Sequence, residues 1–188
     1  MKLTLPQQDI YFEQLLFANE PIYNIGAKIS IEGSLDKDIF EQAYIALIQQ
    51  HDAYRCFLKG DLEHTEMLLT TEIRPLEHID FSNKESKEVL VLEFLQKEFK
   101  KPFDIEKDKF LYRFVLIKVY ENFHYLFSVY HHMITDGWGT SLMFTRLVKN
   151  YNEILENGIV VTEYPYSYEN FISEDENYFN SEDFNNDK

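Results

Sequence analysis

The 188 residues contain one cysteine, five prolines and six glycines. A lone thiol, Cys56, excludes an internal disulfide and gives no sign of an oxidising compartment. So little glycine and proline excludes collagen-like and low-complexity chains. No Gly/Ser linker or internal repeat interrupts the sequence before its C-terminus. Basic residues are also scarce: 18 Lys and Arg stand against 33 Asp and Glu, a formal net charge of −15. That balance argues against nucleic acid and against an anionic membrane surface, both of which select Lys/Arg patches. It fits small-molecule chemistry, or a protein partner with a basic patch of its own. No apolar run approaches the ~18 residues of a membrane span. The start, Met1 to Gln8, lacks the apolar core of a signal peptide. The expected localisation is cytoplasmic.

What is present is apolar and aromatic. Hydrophobic residues make up 45% of the chain and aromatics 16%, which supports one globular domain with a real core. Pro6 fits the first turn of a helix running through Gln14 to Phe17. Ala27, Ile29 and Ile31 alternate within a strand from Ile25 to Gly33. Ser34 and Asp36 precede a helix in which Phe40, Ala43, Tyr44, Leu47 and Ile48 recur at helical spacing. Short strands are expected at Tyr54–Leu58 and Glu66–Thr71. A helix is expected over Glu85–Phe99, with Val89, Leu92, Leu95 and Phe99 on one face. Phe110–Tyr120 and Phe123–Tyr130 are β-rich runs separated only by Glu121 and Asn122, a hairpin-length connection. Trp138–Leu155 is helical by period, and Gly158 is a plausible stop. The acidic segment from Tyr168 to Phe184 fits a solvated helix and a frayed tail equally well. The expected class is α/β (α+β), with helices packed on a mixed sheet.

The second hairpin strand runs directly into His131 and His132, with Asp136 and Gly137 at the strand-to-helix turn. Neighbouring side chains of a strand point to opposite faces, so one histidine is expected in the packing and the other at a cleft. A neutral histidine, titrating near pH ~6.5, accepts a proton from an attacking nucleophile. Gly137 is expected to adopt backbone angles that a larger residue avoids. Free N–H groups at the helix start can stabilise an oxyanion. These are the parts of an acyl-transfer site. Against that reading stands a bland one, in which the histidines end a strand and Asp136 caps a helix. A metal site lacks a ligand set. Serine or cysteine nucleophile chemistry lacks a G-x-S-x-G elbow, and Cys56 sits in an apolar stretch where burial is the default.

His131-His132-x-x-x-Asp136-Gly137 resembles the HHxxxDG motif of condensation domains, the amide-forming modules of nonribosomal peptide synthetases. The resemblance extends to acyltransferases with a chloramphenicol-acetyltransferase-like fold. It covers the whole chain. Thr4 to Tyr11 is similar to the family's S-x-A-Q-x-R-M-W opening, with Pro6 for Ala and Asp9 for Arg. Gln50 to Cys56 is similar to R-H-E-x-L-R-T, with Gln50 for Arg and Cys56 for Thr. Ile79 to Ser82 fits a D-x-S stretch. Pro102 to Ile105 and Phe110 to Phe114 fit P-F-D-L…P-L-x-R, with Phe110 for Pro. Tyr168 to Ile172 resembles Y-x-D-Y, with Asn170 for Asp.

The resemblance implies a fold and a division of labour. The family's domain is about twice this long and has two similar halves, with the active-site histidine in a tunnel between them. Residues 1–188 would then be the N-terminal half, and the C-terminal half would be absent. Donor and acceptor carrier proteins would bring thioesters on 4′-phosphopantetheine arms, and an adenylation domain would belong to the same assembly line. No cofactor is expected in the chain itself. By resemblance His132 is the catalytic residue and Gly137 the oxyanion donor. His131 and Asp136 are structural, with Arg55 expected to pair with Asp136. Heterocyclisation is disfavoured, because those relatives carry D-x-x-x-x-D in place of the two histidines. Epimerisation, ester formation, acyl transfer to a small acceptor and a non-catalytic interaction remnant remain as alternatives.

Overall fold

A computed structural model describes residues 1–60, 64–181 and 184. Helix α1 (Leu5–Leu16) opens on a capping box in which Thr4 and Gln7 satisfy each other's end of the first turn, and Pro6 sits where no N–H is needed. Strand β1 (Asn24–Glu32) alternates between half-buried and exposed residues. Asp36, whose carboxylate accepts the Asp38 and Ile39 N–H groups, starts helix α2 (Lys37–Gln50). A 3₁₀ turn at Asp52–Arg55 leads into β2 (Cys56–Lys59) and β3 (Glu66–Leu69). Then come β4 (Glu77–Asp80), α3 (Lys87–Phe99), β5 (Tyr112–Tyr120), β6 (Phe123–His131), α4 (Gly137–Asn157) and α5 (Tyr168–Phe179).

The main sheet has the order β1-β6-β5-β4. The β1–β6 and β6–β5 pairs are antiparallel and the β5–β4 pair is parallel, so the sheet is mixed, as expected. β2 and β3 form a separate hairpin. β5 is buried on both faces over most of its length, which requires cover on each side of the sheet. One side receives α3, which packs on β1, β5 and β6. The other receives α2, whose Tyr44 ring meets Phe114 of β5 at 5.3 Å, and α4, which packs along α2. An aromatic cluster fills that second side: Tyr54 lies within 5.8 Å of both Tyr112 and Tyr130. Gly158 closes α4 with a left-handed φ of 77°, a conformation glycine adopts without strain.

Two expectations needed adjustment. The strand expected at Tyr54 begins at Cys56, because residues 52–55 turn as 3₁₀ helix. The tail resolves as helix over Tyr168–Phe179, docked by Asp52, which accepts from the Tyr168 N–H and the Ser167 hydroxyl at 2.8 Å each. Positions 182 and 183 of the expected tail segment lie outside the described residues.

Candidate active site

β6 is flanked by a strand on each side, so its end is tethered twice. The His131 N–H donates to Leu111 O (2.9 Å) and the His132 N–H to Tyr23 O (2.8 Å). Strand alternation then separates the two side chains. His131 is fully buried, with the Phe103 ring edge-on at 6.2 Å. Its Nδ1 accepts the Met133 N–H (3.1 Å), and its Nε2 lies 3.1 Å from Gln14 Oε1. The Gln14 amide NH₂ is already engaged with Phe17 O and Glu20 O, which leaves Oε1 as the acceptor. His131 is therefore the neutral Nε2–H tautomer. Burial, with the neighbouring His132 second, pushes its pKa down to about 4.

His132 emerges on the opposite side and is exposed. It lines a cleft of about 350 Å³ whose walls include His51, Tyr54, Thr135, Asp136 and Tyr168. The turn that follows His132 is held from α1. Gln7 Nε2 donates to Met133 O (2.9 Å) and to the Tyr168 hydroxyl, while Gln7 Oε1 accepts from the Thr4 N–H. Gln7 and Gln14 lie two helical turns apart and share one buried face of α1 with Tyr11. Together they grip both ends of the histidine turn. Sequence reasoning missed them. The available signal was a buried-type spacing occupied by two amides within an otherwise ordinary amphipathic helix.

Asp136 is the N-cap of α4: its Oδ1 accepts the Gly139 N–H at 2.7 Å. The expected Arg55–Asp136 ion pair is absent. Arg55 leaves the 3₁₀ turn toward the β2–β3 hairpin, where its guanidinium meets Thr70 O at 3.5 Å. The carboxylate of Asp136 is occupied by the helix start instead. Gly137 also departs from expectation. Its backbone is not left-handed, an added Cβ would meet nothing within 4 Å, and it is not among the cleft-lining residues. The glycine that the turn requires is Gly139, where a Cβ would fall 2.5 Å from Thr135 Oγ1.

Cys56 is buried and its thiol is pushed up to about 12 by desolvation, so it is an inert packing group. Among the described residues, no group of three or more His, Cys, Asp or Glu is placed to hold a metal ion. No helix among them is long and apolar enough to cross a membrane.

A histidine exposed in a cleft, backed by a buried histidine and beside a helix N-terminus, is the arrangement that the HHxxxDG resemblance implied. A family model described as Condensation domain matches residues 1–188. The chain belongs to the condensation domain family. This condensation-domain chain is 25% identical over 187 residues to the dimodular nonribosomal peptide synthase of Bacillus subtilis (strain 168), spanning 99% of the chain and 8% of that protein. It is 31% identical over 138 residues to bacitracin synthase 3 of Bacillus licheniformis, spanning 72% of the chain and 2% of that protein. The starter condensation domain of rhizomide synthetase RzmA superposes with a TM-score of 0.89 at 22% identity, over 96% of this chain and 44% of that one. The first condensation domain of the calcium-dependent antibiotic synthetase superposes with a TM-score of 0.83 at 21% identity, over 99% and 45%. The fold is thus that of condensation-domain structures, and the chain spans less than half the length of each of these two.

Proposed function

We propose that residues 1–188 are the N-terminal half of a condensation domain that forms amide bonds between carrier-bound thioesters in nonribosomal peptide synthesis. The observation that carries this reading is the sorting of the two histidines: His131 is spent on packing and hydrogen bonds, and His132 is left exposed on the cleft. In the reaction the acceptor amine attacks the donor thioester carbonyl. The C–N bond forms, the amine loses a proton, and the C–S bond breaks to release the thiol of the donor arm. His132 takes the amine proton or hydrogen-bonds it as the tetrahedral species forms. Thioesters are already activated, so holding amine and carbonyl together supplies much of the rate.

The N–H groups at the start of α4 are the candidate oxyanion donors. Those of Gly139 and Thr140 are consumed by Asp136, which leaves the N–H groups of Gly137 and Trp138, and the resemblance favours Gly137 of the two. In this reading Asp136 shapes the turn as a cap, His131 fixes its geometry, and Arg55 supports the β2–β3 hairpin. Donor and acceptor carrier proteins supply the substrates on 4′-phosphopantetheine, an adenylation domain loads one of them, and a second half completes the tunnel. The share of each condensation-domain structure that this chain covers supports that last point.

The test is amide formation from two loaded carrier proteins by the native polypeptide that contains these residues. His132→Ala is expected to lower turnover about 10²- to 10⁴-fold with an unchanged melting temperature. The isolated 188-residue chain is expected to form no amide, because half a tunnel neither excludes water nor positions two thioesters. Wild-type turnover by His132→Ala would overturn the assignment of His132. Amide formation by the isolated chain would overturn the need for a second half.

A further inference from the structure

The 51–54 segment brings two polar groups to the His132 cleft that the mechanism above does not use. Tyr54 is 3% exposed, yet its hydroxyl has no hydrogen-bond partner. It lies beside Thr135 and senses the charge of Asp136, which places it against the histidine turn, but its approach to Thr135 falls short of hydrogen-bond geometry. His51 Nε2 is likewise buried and unpartnered. The other side of the imidazole is fixed: Nδ1 lies 3.1 Å from the Tyr164 hydroxyl, and the two rings meet at a tilt with 4.3 Å between centroids. Tyr54, His51 and His132 line the same cleft.

The protonation states follow from the surroundings. Burial raises the Tyr164 pKa, so its hydroxyl keeps a proton that is available to Nδ1. Burial and then the Arg146 cation push His51 down to about 4, so the ring is neutral near pH 7. A neutral imidazole that accepts at Nδ1 carries its proton on Nε2. Burial likewise keeps the Tyr54 phenol protonated. With the Tyr164 hydroxyl donating to Nδ1, the cleft wall holds an O–H and an N–H with no hydrogen-bond partner among the described residues, a state that folded proteins seldom retain. Packing does not explain the hydroxyl. The Tyr54 ring sits edge-on to Tyr112 and Phe114, a task phenylalanine performs equally. The R-H-E-x-L-R-T pattern has leucine at this position, so the phenol is this chain's own departure.

We propose that the Tyr54 hydroxyl and His51 Nε2–H form a donor pair that binds a carbonyl oxygen of the substrate in the His132 cleft. The ligand class is an uncharged carbonyl, thioester or amide; a carboxylate is disfavoured by the Asp136 charge on the same cleft. The pair positions its ligand and moves no proton. This proposal rests on the acyl-transfer reading of the cleft.

The test uses the native polypeptide that contains these residues, with ¹⁵N-labelled histidine and S-acetyl-N-acetylcysteamine as a soluble thioester probe. Ring ¹⁵N spectra are expected to place the His51 proton on Nε2, and the probe is expected to shift both His51 and His132. Tyr54→Phe, which removes one oxygen, is expected to weaken probe binding roughly fivefold, the size of one ordinary hydrogen bond. His51→Phe keeps an aromatic ring against Tyr164 and is expected to weaken it similarly. A His51 proton on Nδ1, or wild-type affinity in both variants, overturns the donor pair. A probe that shifts His132 alone overturns the pair and leaves the reading of the cleft intact. A probe that shifts neither ring overturns both.

Discussion

Asp136→Ala removes the acceptor of the Gly139 N–H and is expected to cost about 1 kcal/mol of stability. Asp136→Asn keeps a capping oxygen and discards the charge, so it is expected to recover most of that loss. Denaturant titration of the two variants separates a cap from an ion pair, since a charge partner would make Asn as harmful as Ala. A second residue-scale expectation concerns pH. His51 and His131 have pKa values lowered to about 4, and His78 and His124 are also lowered, all chiefly by desolvation. The unfolded chain binds protons near pH ~6.5 that the folded chain refuses. Stability is therefore full above that pH and falls as pH drops toward 4. Each fully unmatched histidine contributes a slope approaching ~1.4 kcal/mol per pH unit. Unfolding measured at pH 7 and pH 5 is expected to show a smaller decline for His51→Phe than for wild type; equal declines would contradict it. Of these residues, the split between His131 and His132 was legible from the two-residue period of a strand alone. The role of the glutamines was not, because Gln7 and Gln14 reach partners more than a hundred positions away, and their spacing on α1 names no partner. The Arg55–Asp136 pair was carried over by resemblance, and the local demand of the α4 start for a cap overrode it.

At the scale of elements, the start of α4 depends on a close fit between Thr135 and Gly139. Gly139→Ala is expected to destabilise by about 1–3 kcal/mol, because the new Cβ meets Thr135 Oγ1. In a Thr135→Ala background the same change is expected to cost much less. Thermal melts of the four proteins of that double-mutant cycle measure the coupling, and additive effects would show that the contact does not matter. Most elements were readable because each carries a strong local signal: the Asp36 cap, the two-residue link between β5 and β6, and Gly158 after α4. β4 escaped notice because it is four residues long with half-buried positions only at His78 and Ile79, too little alternation to stand out. The 3₁₀ turn before β2 was read as strand because Tyr54 is a strand-favouring residue, and its packing among Tyr112, Phe114 and Tyr130 is a tertiary fact. The order of α5 is tertiary too, since it depends on Asp52.

For the whole molecule, a formal charge of −15 means net self-repulsion, relieved only locally by pairs such as Lys109–Glu72 and Arg113–Glu98. Raising salt from about 10 mM to about 150 mM shortens the screening length from ~30 Å to ~8 Å. The melting temperature is expected to rise by a few degrees over that range. A fall would mean that the local pairs outweigh the overall repulsion. The order β1-β6-β5-β4 has a further consequence, because it puts the strand that ends on His131, just before His132, in the interior of the sheet. Its amides bond alternately to β1 and β5, and each exchanges with deuterium only when its own neighbour releases, so they report rare openings of the molecule. The far end of the acidic C-terminal helix, away from Tyr168, can fray, and the outer edge of β1 can breathe, without disturbing the position of His132. On gentle heating the histidine pair should thus be among the last features to lose register, and its loss should coincide with the collapse of the whole sheet.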